Sequence, residues 1–193
     1  ATLGQGSHSC LAQIAAEEFG LPIENVRLVR GDTANTPYDV GSWDSRSIFH
    51  SGIALLRACA DAKRQMFAIA SPKLGVPADE LEAKGGVVYR KSQPSLSIPV
   101  SELFTPFQAI SWGGSEIMGR ASYIAPHVPE DENGQSPHIF CYVSHIATGI
   151  EVAVNEETGE VKVLRAVGVA DCGQPINPRS CEQQMDGGRA MGI

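Results

Sequence analysis

The sequence lacks an excess of basic residues. Fifteen Lys and Arg stand against 22 Asp and Glu in 193 residues, a net charge of −7, which argues against a general nucleic-acid or anionic-membrane binder, because neutralising phosphates takes a stripe of cations. It also lacks long apolar runs. Nothing approaches the ~20 residues that cross a bilayer, and the opening ATLGQGSHSC has neither the basic nor the apolar segment of a secretory leader. Paired cysteine motifs are missing too. Cys10, Cys59, Cys141, Cys172 and Cys181 are odd in number, with no C-x-x-C spacing, so they read as reduced thiols of a cytoplasmic protein rather than as a zinc site or disulfide framework. The histidines (8, 50, 127, 138 and 145) are scattered and read as surface or capping residues.

What is present is enough apolar sequence, 42% over a chain of domain length, to bury a core. After Gly4-Gln5-Gly6, the residues Leu11, Ile14, Ala15 and Phe19 recur at helical spacing and Gly20 stops the pattern. Residues 26–29 read as a short strand, followed by a polar loop over 34–43. From Ser45 to about Ser71 the pairs Ile48/Phe49, Leu55/Leu56 and Met66/Phe67 predict a long helix packed on a sheet, with Pro72 as its breaker. Two or three short strands are expected within 79–104, around Gly85-Gly86 and Gln93-Pro94. Residues 105–135 show little periodicity. Runs 139–154 and 161–169 are rich in β-formers and joined by Asn155-Glu156-Glu157-Thr158-Gly159-Glu160, a hairpin signal. Asn177 as N-cap and Pro178 at the first helical position then begin a last helix. These elements predict an α+β fold with helices packed on mixed or antiparallel strands, in two sub-lobes of about 1–104 and 136–193.

Three places suit a polar or anionic ligand. Gly4-Gln5-Gly6-Ser7 sits immediately before a helix, where glycines let the backbone approach an anion and free N–H groups stabilise its charge. A dinucleotide fingerprint would want a small third residue where Ser9 stands and an acidic residue some twenty positions on, for which Glu24 and Asp32 are the nearest candidates. A ligand-free glycine turn is the plain alternative. The second place is Asp44-Ser45-Arg46-Ser47 at the head of the long helix, with hydroxyl donors and a guanidinium that can grip a phosphate or carboxylate. The third is Gln184 in Gln183-Gln184-Met185-Asp186-Gly187-Gly188, whose amide can meet a polar heterocycle as donor and acceptor.

The flanking text of all three places resembles a known family. Gly-Gln-Gly-Ser…Gln-Ile-Ala-Ala-Glu (4–17), Gly-Asp-Thr…Pro-Tyr-Asp-Val-Gly-Ser-Trp-Asp-Ser-Arg (31–46) and Asp-Cys-Gly-Gln-Pro-Ile-Asn-Pro…Gln-Met-Asp-Gly-Gly…Met-Gly (171–192) are similar to the molybdopterin-binding large subunit of the molybdenum hydroxylases, the xanthine dehydrogenase and aldehyde oxidase family. The resemblance is weakest over 73–138, and the spelling around Ser45-Arg46 is similar to the 4-hydroxybenzoyl-CoA reductase branch.

That resemblance implies part of a molybdenum-cofactor-binding domain from an oxidoreductase that hydroxylates, or reductively dehydroxylates, an aromatic, purine or aldehyde substrate. It implies a molybdopterin cofactor, including its cytosine dinucleotide form, and iron–sulfur and FAD domains or subunits that carry electrons away. Gly4, Gln5, Gly6 and Ser7 would lie against the pterin and its phosphate. Ser45, Arg46 and Ser47 would sit beside cofactor and substrate, and Gln184 would bond the pterin. Asp44 departs from the small residue expected there; it either faces the substrate or caps the helix. The family's base, a glutamate in a Gly-x-Gly-Glu-like motif, is expected beyond residue 193, so no catalytic residue is assigned. The chain reads as a fragment, inactive alone and without cofactor. The competing expectation is a non-catalytic binding or assembly module of the same fold, including a homo-oligomer that covers its own exposed surface.

Overall fold

The computed structural model describes residues 2–104 and 116–193. Contacts divide the chain into two units, Ala1–Ile124 and Ala125–Ile193.

The first unit is built on two helices. Helix α1 spans Ser7–Phe19 and ends at Gly20, whose φ of 58° is the left-handed conformation that a helix C-cap takes at little cost in glycine. Helix α2 spans Ser47–Leu74 and ends in the same way at Gly75. It starts two residues later than expected because Asp44 and Ser45 have φ of 56° and 54°, outside the helical region. It also runs past Pro72. In the last turn a proline removes only one hydrogen bond, and Gly75 restores one by donating its N–H to Ser71 O.

Between the helices, Gly52 is buried, and a Cβ there would lie 3.3 Å from Ile14 Cδ1. A side chain at 52 would require the Ile14 methyl to give way by a few tenths of an ångström. Further along, Lys63 Nζ pairs with Glu18 at 2.7 Å and lies over the Phe19 ring. Sequence number therefore rises together along both helices, so α1 and α2 run in the same sense and both N-termini lie at one end of the pair. Cys10, Ala16 and Cys59 are buried. Burial raises the pKa of both thiols, with Glu18 adding to the effect at Cys59, which keeps them protonated and unreactive.

The C-terminal half of α2 packs on a three-stranded antiparallel sheet, β1 (Leu81–Lys84), β2 (Val87–Arg90) and β3 (Gln93–Pro99), in that order. The β1–β2 turn places Gly85 and Gly86 at φ 63° and 80°, the tandem left-handed pair of a tight hairpin. Ala70, Val76, Leu81, Ala83, Val88 and Leu103 form the core, with Met66, Phe67 and Ile98 packed on it. Residues 26–29 do not form a strand. No described strand pairs with them, and the neighbouring Arg30 instead reaches His8 on α1.

Residues 118–123 were expected to belong to an irregular connection, yet they are tied to α2. Gln65 donates to Met118 O at 2.9 Å and accepts from Met118 N at 3.2 Å; Asp61 accepts from Arg120 N; Arg57 donates to Ser122 O. The division between units falls after them for that reason. The expectation for 105–115 lies outside the described residues.

The second unit holds a hairpin and one helix. Strands β4 (His145–Val154) and β5 (Val161–Asp171) pair antiparallel with a bulge at Glu151/Val152. In the turn, Asn155 Oδ1 accepts from Glu157 N and Thr158 N, and Gly159 takes φ 75°. Strand β4 begins later than residue 139 because the preceding segment bonds elsewhere: His138 O accepts from Val128 N, and the Cys141 thiol donates to Pro126 O. Helix α3 spans Pro178–Gly192, with Asn177 Oδ1 accepting from Ser180 N at 3.1 Å and proline at the first position, as expected from the sequence. Met185 and Arg189 of α3 lie over Gly168 of β5. The same face continues through Ile146, Ile150, Val152, Val154, Val161 and Val163 by strand register, and these six are exposed. No described helix is long and apolar enough to cross a membrane.

Candidate functional site

The glycine loop is organised by its own glutamine. Gln5 Oε1 accepts from Leu3 N at 2.7 Å and from Thr2 Oγ1 at 3.2 Å, while Gln5 Nε2 donates to Ser7 Oγ at 3.2 Å. Gln5 thus shapes the loop and keeps one Nε2 hydrogen beyond these bonds, and Ser7 is buried. Gly4 and Gly6 have φ of 93° and 82°, and Gly6 occupies the N-cap position of α1 without any side-chain cap. The first intrahelical bond is Cys10 N to Gly6 O, so the amides of Ser7, His8 and Ser9 precede the helical ladder and present the positive end of the helix.

Electrostatics around this loop favour an anion. The first turn of α1 carries no acidic side chain, and the Arg30 guanidinium contacts His8 Nδ1. Burial first and the Arg30 charge second hold the His8 pKa below its ordinary value, leaving Arg30 as the cation beside the helix start.

The second place lies at the start of α2. Two consecutive non-glycine residues, Asp44 and Ser45, hold left-handed φ, which costs L-residues free energy and persists only where the surroundings impose it. Arg46 takes the N-cap position and its own side chain makes no cap bond, and the first turn of the helix also lacks an acidic residue. Asp44 lies two residues before this N-cap, exposed, in the turn that leads into the helix. Ser47 Oγ donates to Ser42 Oγ at 2.9 Å, and the Arg46 guanidinium stacks on the Trp43 ring, 4.8 Å from its centroid. Stacking leaves the in-plane N–H groups of a guanidinium open to an acceptor.

Ile14 and Gly52 touch, and at a rise of ~1.5 Å per residue Gly6 lies about 12 Å and Arg46 about 9 Å back from that contact along their helices. The first two places are thus brought to one end of one helix pair. Gln184 belongs to the second unit, on α3, where it is exposed and its amide has no hydrogen-bond partner among the described residues.

Rings gather one turn inside the head of α2. Phe49 and His50 stand edge to face at 5.1 Å, and Tyr123 meets them at 5.7 and 5.9 Å. Tyr123 and its tether have no local signature; the one signal in the sequence is the i, i+4, i+8 row Arg57, Asp61, Gln65 on a helix otherwise striped with apolar residues. No group of three or more His, Cys, Asp or Glu among the described residues is placed to hold a metal ion.

Comparison with known proteins shows the family. The sequence profile of the family described as "Molybdopterin cofactor-binding domain" matches residues 1–193. The chain is similar to the carbon monoxide dehydrogenase large chain of Hydrogenophaga pseudoflava, 30% identical over 196 residues, covering 99% of this chain and 22% of that one. It is also similar to the probable hypoxanthine oxidase XdhD of Escherichia coli (strain K12), 28% identical over 195 residues, covering 100% of this chain and 19% of that protein. Among solved structures it resembles quinoline 2-oxidoreductase from Pseudomonas putida 86, with a TM-score of 0.79 and 25% identity over 97% of this chain and 23% of that chain. The chain thus spans about a fifth of the length of the curated relatives it matches.

Proposed function

This chain belongs to the molybdopterin cofactor-binding domain family, and from that premise we propose that it forms part of the cofactor seat of a molybdenum-dependent oxidoreductase. The observation that carries the proposal is the pairing of two uncapped helix starts, at Gly6 and Arg46, at the same end of α1 and α2.

The residues fit the group. A pterin phosphate is an anion, and both helix starts offer backbone N–H donors, no acidic side chain in the first turn, and a nearby guanidinium from Arg30 or Arg46. Gly4, Gly6 and the backbone of Ser7 would hold the phosphate; Gln5 shapes that loop from within. Ser45, Arg46 and Ser47 would contact the cofactor from the second start, with Asp44 beside the substrate. A carboxylate there disfavours an anionic substrate unless a cation pairs with it. Gln184 would bond the polar edge of the pterin ring. When bound, the cofactor, in its plain or cytosine dinucleotide form, would supply the electron-transfer chemistry at a substrate carbon.

No residue of this chain is assigned as acid or base. Its part is binding and orientation. The substrate is an aromatic, purine or aldehyde compound, and iron–sulfur and FAD domains or subunits serve as electron partners of the whole cytoplasmic enzyme; the 193 residues alone are inactive. Metal analysis and absorbance of the purified full-length protein test this reading. Near-stoichiometric molybdenum, sharply reduced by Gly6→Val, is the expected result. Full-length protein that is folded but free of molybdenum would favour a non-catalytic assembly module of the same fold.

A further inference from the structure

The contacts along α2 form a ladder. Gln65, Asp61 and Arg57 lie at four-residue intervals on one face of the helix, and they engage Met118, Arg120 and Ser122 in turn. A strand-like segment exposes its backbone groups at alternate residues on one side, and a helix repeats its face every four. The two periods match here, so side chains of α2 supply the hydrogen bonds that a neighbouring strand would otherwise give. Gly119 sits between two rungs with its backbone against Ala58 O; a Cβ there would lie 2.0 Å from that oxygen. The Arg120 amide, followed by Arg64, holds the Asp61 carboxyl below its ordinary pKa, as expected for a rung that binds the charged form.

At the end of the ladder is Tyr123. Arg57 lies over its ring at 4.8 Å, and the ring also meets Phe49 and His50. His50 in turn bonds the N-cap residue: its backbone N–H donates to Arg46 O at 2.9 Å, and its Nδ1 is 3.2 Å from the same oxygen. Arg46 is the residue that follows the left-handed pair Asp44-Ser45.

We propose that residues 118–123 are a strap clipped to α2 whose terminal ring, Tyr123, positions the head of that helix and with it the Asp44-Ser45-Arg46 turn. This rests on the reading of that turn as a cofactor contact. Tyr123 is a positioning residue: it acts through Phe49, His50 and the Arg46 carbonyl. A ring is what the position requires, since the Tyr123 contacts are those of its face and edge.

Amide hydrogen exchange on the cofactor-free full-length protein tests the strap, using Tyr123→Leu, Tyr123→Phe and Gly119→Ala. The amides of Arg46 and His50 are expected to exchange roughly tenfold faster in Tyr123→Leu and in Gly119→Ala, as a local opening rather than a global one, while amides of β1 and β2 stay at the parent rate. Tyr123→Phe is expected to restore the parent rate. Unchanged exchange at Arg46 and His50 in Tyr123→Leu overturns the proposal, as does a Tyr123→Phe protein that behaves like Tyr123→Leu. Molybdenum content of the same variants separates the two levels. Faster exchange with lowered molybdenum supports both; faster exchange with unchanged molybdenum supports the strap and overturns the cofactor reading of the turn.

Discussion

The left-handed pair before α2 gives a prediction whose sign is unusual. Ser45 is exposed and holds φ 54°. That conformation costs an L-residue roughly 1–2 kcal/mol, and a glycine there removes the cost. Glycine in turn loosens the unfolded chain by about 0.4–1 kcal/mol. The difference leaves Ser45→Gly more stable than the parent by about 0.5–1 kcal/mol, whereas a glycine placed at an ordinary surface position destabilises. Asp44→Gly should gain less, because aspartate tolerates the left-handed region better than serine. Ser45→Val should lose stability, since a β-branched side chain is poorly accommodated at positive φ. Urea unfolding followed by circular dichroism reads these changes as shifts in midpoint at constant slope. A Ser45→Gly protein whose midpoint falls by what a glycine costs would refute the claim that this turn stores strain. If the strain serves the site, the stabilised glycine variant should also retain less molybdenum, the trade expected where a functional site holds an unfavourable conformation.

Leu81 is 1% exposed within the sheet–helix core, so Leu81→Ala should cost about 2–5 kcal/mol in denaturant unfolding; a loss below ~1 kcal/mol would show that the core closes around the gap. His8 has a folded-state pKa below its unfolded value, so the unfolded chain binds more protons and stability rises with pH. The contribution is complete above about pH 6.5, the ordinary histidine value, and declines as pH falls from there toward the folded value. His8→Gln should flatten that part of the stability profile, and an unchanged slope would place its origin elsewhere. Residues 125–193 expressed alone should lack a cooperative thermal transition, because a two-stranded hairpin is marginal by itself and the one buried hydrophobic residue described there is Ala125.

Much of this fold is legible in local chemistry. Gly20 ends α1, Asn177 and Pro178 start α3, and Gly85-Gly86 and Asn155…Gly159 turn two hairpins, each for a reason confined to a few residues. The errors arise where distant partners decide. Residues 26–29 have strand-like composition but no strand to pair with among the described residues, and Pro72 breaks a helix in most contexts but not in the last turn of one. The two helix starts are recognisable as anion-friendly from Gly4-Gln5-Gly6-Ser7 and Asp44-Ser45-Arg46-Ser47. That they lie at one end of a parallel helix pair depends on Gly52 meeting Ile14 and Lys63 meeting Glu18, which no local pattern contains. Gln5 adds a role that the motif alone does not show: its amide also ties the loop together. The strap was invisible for the same reason as the helix pairing, since Gln65 and Met118 are 53 residues apart.

On the proposed reading, the starts of α1 and α2 take one anionic cofactor together. Amide protection of the full-length protein on loading with molybdopterin tests it most directly. Simultaneous protection of residues 7–9 and 45–47, lost in Gly6→Val, is the predicted result. Loading that protects neither segment, or only one of them, would contradict the account.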